Sequence, residues 1–124
     1  MKYKRILLWL VFVFAFLLAG CTASTVPGGD YSAFAKCLTG NNIKMYGAFW
    51  CPHCQAQEDM FGDSWKDINY IECSLPDRSG QTRICEDAGI KAYPTWEFSN
   101  GKRIEGELTF LQLSQLSGCS LSGN

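Results

Sequence analysis

Two cysteines two residues apart, Cys51 and Cys54, are the side chains of this sequence best suited to chemistry. A helix that begins between them would bring the two sulfurs close enough to form and break a disulfide. Pro52 suits the first position of that helix, because its missing N–H costs nothing there and its φ is already helical. Unpaired N–H groups and the helix dipole at that end favour a thiolate at Cys51. The pattern predicts a reversible dithiol–disulfide couple.

Within such a couple Cys51 is the expected nucleophile and Cys54 the more shielded thiol that resolves a mixed disulfide. The alternatives are a static disulfide or half of a zinc site. His53, the only histidine, either stabilises the Cys51 thiolate or is a solvated side chain without influence. One helical turn cannot supply a tetrahedral zinc set, and covalent haem attachment needs a histidine where Gln55 stands. We therefore expect no metal and no other cofactor.

Hydrophobic patterning predicts an α/β domain around this motif. A buried strand leads into the cysteines, and Gly62 ends the helix that follows them. Thr109 caps the last helix and Gly118 ends it. The predicted elements are a helix at 30–38, a strand at 43–50, a helix at 51–61, a strand at 69–73, a helix at 81–88, hairpin strands at 94–98 and 102–107, and a helix at 109–117.

The N-terminus has the pattern of an export signal. Three basic residues precede an apolar run at 6–19, which is short for a membrane span of about 20 residues. The run ends in Leu18-Ala19-Gly20-Cys21, which resembles the bacterial lipoprotein signal and implies cleavage before a lipidated Cys21. The alternatives are an uncleaved anchor or ordinary cleavage nearby. We predict a signal peptide at 1–20, a lipidated tether at 21–29 and one domain at 30–124, at the periplasmic or cell-surface face of the envelope.

Charge and cysteine content agree with that location. The chain has 124 residues, enough for one domain, and its acidic residues outnumber its basic ones once the signal is removed. Scattered, mildly acidic charge gives no reason to expect nucleic acid as a partner. Seven cysteines in so short a chain point to an oxidising compartment.

The predicted order of elements is that of a thioredoxin fold, a central mixed sheet flanked by helices. Trp50-Cys51-Pro52-His53-Cys54 after a strand, and the later Tyr93-Pro94-Thr95, resemble the two signatures of the thioredoxin superfamily. Segments 45–55, 70–73, 88–90 and 93–96, with Cys85, are similar to the thioredoxin-like domain fused to vitamin K epoxide reductase homologues of bacteria and plants. This resemblance covers roughly residues 31–119.

In that family the domain passes electrons from newly exported proteins to the membrane enzyme, which transfers them to a quinone. The resemblance thus implies an oxidase of exported protein thiols with a separate membrane partner of the vitamin K epoxide reductase type. We expect a tethered monomer. The same four-residue motif occurs in strongly oxidising DsbA-type enzymes, which favours a tuning role for His53. The alternatives are a reductase or isomerase, a metal-binding lipoprotein and a non-catalytic adaptor.

The resemblance also implies roles for residues outside the motif. Pro94 would be cis and, with Tyr93, would present a backbone edge to an extended substrate; the alternative is a trans proline beginning an edge strand. Trp50 would flank the site, or else pack in the core. The resemblance also implies that Cys73 and Cys85 pair in a structural disulfide.

Two further features complete the sequence-based prediction. Cys37 and Cys119 are left over and either pair with each other or remain free thiols.

Many thioredoxins carry a buried carboxylate six residues before the first cysteine, and this chain has Met45 there. In those proteins the carboxylate accepts a proton from the second cysteine, and the loss of this proton acceptor is less harmful to an oxidase than to a reductase. Glu58 could reach the site from the helix, but we expect it to be solvated.

Overall fold

The computed structural model describes Tyr3 and residues 29–121. The predicted signal peptide, Cys21 and nearly all of the tether lie outside the described residues. Within the described part, no helix is both long and apolar enough to cross a membrane.

Each predicted helix and strand is present, and the strands are shorter than predicted. The elements are α1 Ser32–Gly40, β1 Lys44–Gly47, α2 Pro52–Phe61, a 3₁₀ helix Gly62–Asp67, β2 Tyr70–Glu72, α3 Arg83–Asp87, β3 Thr95–Glu97, β4 Arg103–Glu105 and α4 Phe110–Ser117. Strand β1 ends at Gly47 and not at Trp50, because the chain turns toward α2 at Ala48, whose carbonyl accepts a hydrogen bond from Cys51 N at 2.9 Å.

The four strands form one mixed sheet in the order β2-β1-β3-β4. Strand β1 is parallel to β2 and antiparallel to β3, and β3 and β4 form an antiparallel hairpin. Because α2 connects the parallel pair as a crossover helix, β1, α2 and β2 form a βαβ unit. The arrangement confirms the predicted thioredoxin fold.

Local capping explains where the helices end. At α4, Thr109 accepts from Gln112 N and the Gln112 side chain bonds back to the Thr109 backbone, a complete capping box. Gly118 then ends α4 with φ +74°, a left-handed conformation that favours glycine. The prediction for α1 was only partly right: Asp30 accepts from Ser32 N at 2.9 Å, but the capping position is Tyr31, whose side chain makes no cap.

An aromatic core packs between the sheet and the helices. Phe61, at the end of α2, is its centre and lies 6.2 Å from Phe34, 5.0 Å from Phe110 and 6.5 Å from Trp96, measured between ring centroids. Trp96 is fully buried and Phe98 nearly so, and both rings belong to this core.

Two disulfides lie outside the Cys51–Cys54 motif. Cys73 at the end of β2 bonds to Cys85 on α3, with Cα atoms 5.5 Å apart. Cys37 on α1 bonds to Cys119 beyond α4, with Cα atoms 5.9 Å apart. The second bond ties α1 to the residue that follows the end of α4, across 82 positions of the chain.

Candidate active site

Cys51 occupies the residue immediately before α2. Its backbone is extended, with φ −80° and ψ 120°, and Pro52 follows as the first helical residue. The Cys51 carbonyl accepts from Gln55 N at 3.1 Å, which begins the helix. Cys51 and Cys54 are both free thiols and both buried, 6% and 4% exposed. The sequence motif thus forms a shielded dithiol at the start of a helix.

The backbone at Tyr93 lies directly against this dithiol. The Tyr93–Pro94 peptide bond is cis. The Cys51 thiol donates a long hydrogen bond to the Tyr93 carbonyl, with 3.7 Å between Sγ and O. The segment that follows β1 and the segment that precedes β3 are distant in sequence, but they meet at the Cys51 sulfur.

Aromatic side chains form the exposed rim of the site. Phe49 and Trp50 are 45% and 40% exposed, which is high for such large apolar groups. Trp50 meets Tyr93 edge-on at 6.1 Å between centroids, and its Nε1 donates to Ser74 Oγ at 2.7 Å. The Tyr93 hydroxyl accepts from Gln81 Nε2 at 2.6 Å. These bonds fix the rings beside Cys51, so Trp50 lies at the rim and not in the core.

His53 has a partner that the sequence did not indicate. Its Nδ1 lies 2.6 Å from Oε1 of Glu107, on the segment between β4 and α4. Both side chains are well exposed, 71% and 47%. The imidazole of His53 is therefore held by a carboxylate from a distant segment of the chain.

Cys54 differs from Cys51 in its surroundings. Burial raises the pKa of the Cys54 thiol to about 12, with smaller contributions of the same sign from Cys51 and Glu72 and an opposing backbone hydrogen bond at Ala48. The thiol at Cys54 consequently keeps its proton near neutral pH and must lose it before it can attack a disulfide. The site thus needs a proton acceptor for its second cysteine.

The position where many thioredoxins have a carboxylate is apolar here. Met45 fills it and is fully buried, and Glu58 is exposed on the outer face of α2, as expected. The carboxylate near Cys54 is instead Glu72, at the end of β2. Its Oε2 accepts from the Tyr70 hydroxyl at 2.8 Å, and its Oε1 accepts from Ser74 N at 2.7 Å. Sequence reasoning missed Glu72, although its place in β2, parallel to β1, could have indicated it.

Metal binding finds no support in side-chain clustering. Among the residues that the structure describes, no group of three or more His, Cys, Asp or Glu side chains is arranged to hold an ion.

No family model matches the chain, but individual known proteins are similar to it. The chain is 43% identical over 93 residues to thiol-disulfide oxidoreductase LTO1 of Arabidopsis thaliana, covering 72% of this chain and 24% of that protein. It is 36% identical over 78 residues to a thioredoxin domain-containing protein 5 homolog of Drosophila melanogaster, covering 58% of this chain and 18% of that protein. The chain therefore spans only about a quarter or less of each relative. Together, the fold, the dithiol before α2 and these relatives show that the described chain is a domain of the thioredoxin-like superfamily.

Proposed function

We propose that this protein is an extracytoplasmic, lipid-anchored thiol–disulfide oxidoreductase that oxidises the thiols of exported proteins. The observation that supports it best is the free Cys51–Cys54 pair with Cys51 Sγ 3.7 Å from the Tyr93 carbonyl. A nucleophilic sulfur before a helix, beside an open backbone edge, suits disulfide exchange with a polypeptide.

In the proposed reaction the oxidised protein carries a Cys51–Cys54 disulfide. A substrate thiolate attacks Cys51 Sγ, the bond to Cys54 breaks, and Cys54 leaves as a thiolate that takes up a proton. A second substrate thiolate then attacks the substrate sulfur of the mixed disulfide, and Cys51 leaves as a thiolate. The substrate gains a disulfide, and two electrons pass to the protein.

The rim of the site suits an extended, unfolded substrate. The backbone at Tyr93 would pair with the substrate chain, while the exposed rings of Phe49 and Trp50 would contact its apolar side chains. Arg78 lies over the Phe49 ring at 5.3 Å and would favour acidic groups in the same segment. Such contacts are tolerant of sequence, as a general oxidase of exported proteins requires.

The protein would be reoxidised by a separate membrane protein of the vitamin K epoxide reductase type. The Cys51 thiolate attacks one sulfur of a disulfide in that partner, and the partner's other sulfur leaves as a thiolate. Cys54 then attacks Cys51 Sγ and displaces the partner's first sulfur as a second thiolate. The partner dithiol thus holds the two electrons, which continue to a quinone. A lipid at Cys21 and the short tether that follows would keep a monomeric domain close to such a partner. The two disulfides of the described chain suit an oxidising compartment.

The reduction potential tests the direction of electron flow. The full chain is equilibrated with glutathione mixtures, and the Cys51–Cys54 state is read by alkylation and mass spectrometry, with Cys51→Ser as the control. A potential near the roughly −120 mV of a strong oxidant supports the oxidase. A potential near the roughly −270 mV of thioredoxin contradicts it and favours a reductase. If the chain shows no redox transition and binds zinc tightly, the proposal of a thiol–disulfide oxidoreductase is excluded.

Lipidation needs a separate test. Cells that express the chain are labelled with a fatty acid analogue and fractionated, and the Cys21→Ala variant is the matched control. We expect the wild-type chain to carry the label and to fractionate with membranes, and the Cys21→Ala variant to do neither. Equal labelling of both, or release of both into the soluble fraction, contradicts the anchor.

A further inference from the structure

Glu72 lies on the same face of the sheet as Cys54. In the parallel β1–β2 pair, Met45 stands opposite Tyr70 and Gly47 opposite Glu72. Alternate residues of a strand share a face, so Tyr70 and Glu72 project to the same side. A Cβ on Gly47 would lie 2.8 Å from Tyr70 Cε2 and 2.9 Å from Cys54 Sγ. The missing side chain at Gly47 therefore brings Cys54 against the face that carries Tyr70 and Glu72.

The hydrogen bonds of Glu72 hold it as an acceptor. The Tyr70 hydroxyl donates to Oε2 at 2.8 Å, and Ser74 N donates to Oε1 at 2.7 Å. Burial raises the pKa of Tyr70, and the bond to Glu72 raises it further, so this hydroxyl remains a donor. Two donors on opposite oxygens fix the orientation of the carboxylate.

We propose that Glu72 exchanges the proton of Cys54 during disulfide exchange, with Tyr70 as its positioning residue. The proposal rests on the thiol–disulfide exchange proposed above, and it assigns to β2 the carboxylate that β1 lacks at Met45. Because Glu72 comes from the neighbouring strand, the motif alone does not reveal it.

The proton transfer balances in both directions. When reduced protein attacks a disulfide, the Cys51 thiolate bonds to one of its sulfurs, the bond between the two sulfurs breaks, and the other sulfur leaves as a thiolate. Cys54 then gives its proton to the Glu72 carboxylate, and the Cys54 thiolate attacks Cys51 Sγ. The bond from Cys51 to the first of those sulfurs breaks, and that sulfur leaves as a thiolate. When oxidised protein accepts electrons, Cys54 is the leaving thiolate and takes up a proton that Glu72 has received from water.

The groups that could compete for this role are few. Among the described residues, the titratable groups that act on the Cys54 thiol are Cys51 and Glu72, and Glu58 on α2 acts on neighbouring Tyr70. Cys51 is itself bonded to a sulfur of the attacked disulfide when Cys54 reacts, so it cannot accept the proton. Glu58 is exposed and supplies the matched control.

The test measures each cysteine separately. The reduced full chain is mixed in a stopped-flow instrument with a symmetric aromatic disulfide that releases a coloured thiolate. The first equivalent reports attack by Cys51 and the second reports resolution by Cys54, an assignment that Cys54→Ser checks by abolishing the second phase. Glu72→Gln should slow the second phase near neutral pH by about 100-fold, the lower end of general acid–base contributions, and leave the first unchanged. Glu72→Asp should recover part of the rate, and Glu58→Gln should match wild type.

The pH profile separates proton transfer from a structural effect. In the wild type the second phase should be nearly independent of pH in the neutral range. In Glu72→Gln it should rise tenfold per pH unit and approach the wild-type rate in alkali, because only free Cys54 thiolate then reacts. A wild-type second phase proportional to hydroxide throughout overturns the proposal even if the variant fails to fold. An unchanged second phase in Glu72→Gln, or a slow one in Glu58→Gln, overturns it too. Loss of both phases in the wild type would instead refute the oxidoreductase.

Discussion

Gly47 and the sulfur of Cys54 occupy adjoining space so closely that a Cβ on Gly47 would lie 2.9 Å from Sγ. The same Cβ would lie 2.8 Å from the Tyr70 ring. Both distances are shorter than ordinary van der Waals contact, and both neighbours are buried or half-buried. Glycine at the end of β1 is therefore a requirement of the dithiol site.

The Gly47→Ala variant should accordingly lose stability and activity together. We expect a loss of about 1–3 kcal/mol in the free energy of unfolding, the usual cost of overpacking, and slower resolution by Cys54. Denaturant unfolding and the two-phase thiolate release measure the two effects. Gly40→Ala is the control, because a Cβ there has open space at the end of α1. Equal stability of the two variants would contradict the packing argument.

The contact between His53 and Glu107 should tune the reduction potential. Glu107→Gln removes a negative charge 2.6 Å from the imidazole that lies two residues after Cys51, and the loss of that negative charge favours the Cys51 thiolate. A stabilised reduced form makes the couple more oxidising. An exposed pair contributes about 0.2–1 kcal/mol, so we expect an upward shift of about 5–20 mV near neutral pH.

Glutathione equilibration measures this shift, and Glu105→Gln controls for the change in net charge because Glu105 is exposed on neighbouring β4. High salt should reduce the shift, since the pair is open to solvent. A downward shift, or an equal shift in Glu105→Gln, would contradict a specific effect of the His53–Glu107 contact on the reduction potential.

The sequence predicted what local patterns determine. The cysteine motif, Pro52, the capping residue Thr109 and Gly118 each act on neighbouring residues, and the elements that they delimit are present. The contacts that complete the site join residues far apart in the chain. His53 and Glu107 are separated by 54 positions, and Glu72 approaches Cys54 only because β2 pairs with β1 in one register. Neither contact leaves a periodic or capping signal in the sequence.

Cys54 should make folding stability depend on alkaline pH. Burial raises the pKa of its thiol from an ordinary 9.0 to about 12, so the folded chain keeps a proton that the unfolded chain loses. Stability is then complete below about pH 9 and falls as pH rises toward 12. Urea midpoints of Cys51→Ser, which retains the Cys54 thiol, should fall more over this range than those of the Cys51→Ser/Cys54→Ala double variant. Parallel curves would contradict the raised pKa.

Gln57 should be a stability residue although it lies on the helix that carries the dithiol. It is 1% exposed, and its Oε1 accepts from Trp96 Nε1 at 3.1 Å and from Leu108 N at 2.8 Å. Its Nε2 donates to the Leu108 carbonyl at 3.0 Å. Gln57→Leu leaves these buried groups unpaired and should cost about 3 kcal/mol or more. Denaturant unfolding measures the loss, and Gln115→Leu, at an exposed position of α4, should change stability little.

The two structural disulfides should differ in how much they stabilise the fold. The Cys37–Cys119 bond closes a loop of 82 residues and the Cys73–Cys85 bond a loop of 12. In the chain-entropy model these loops contribute about 4.5 and about 3 kcal/mol respectively. The double variant Cys37→Ser/Cys119→Ser should therefore unfold at lower denaturant than Cys73→Ser/Cys85→Ser.

The two bonds should also differ in their effect on the site. The Cys37–Cys119 bond ties α1 to the residue that follows the end of α4, so its removal should leave both phases of thiolate release unchanged at a temperature where the variant is folded. Cys73 directly follows Glu72, and Cys85 Sγ lies 4.0 Å from the Glu72 carbonyl. Removal of that pair should therefore slow the second phase through Glu72. Equal rates in the two double variants would show that the short disulfide has no part in positioning the carboxylate.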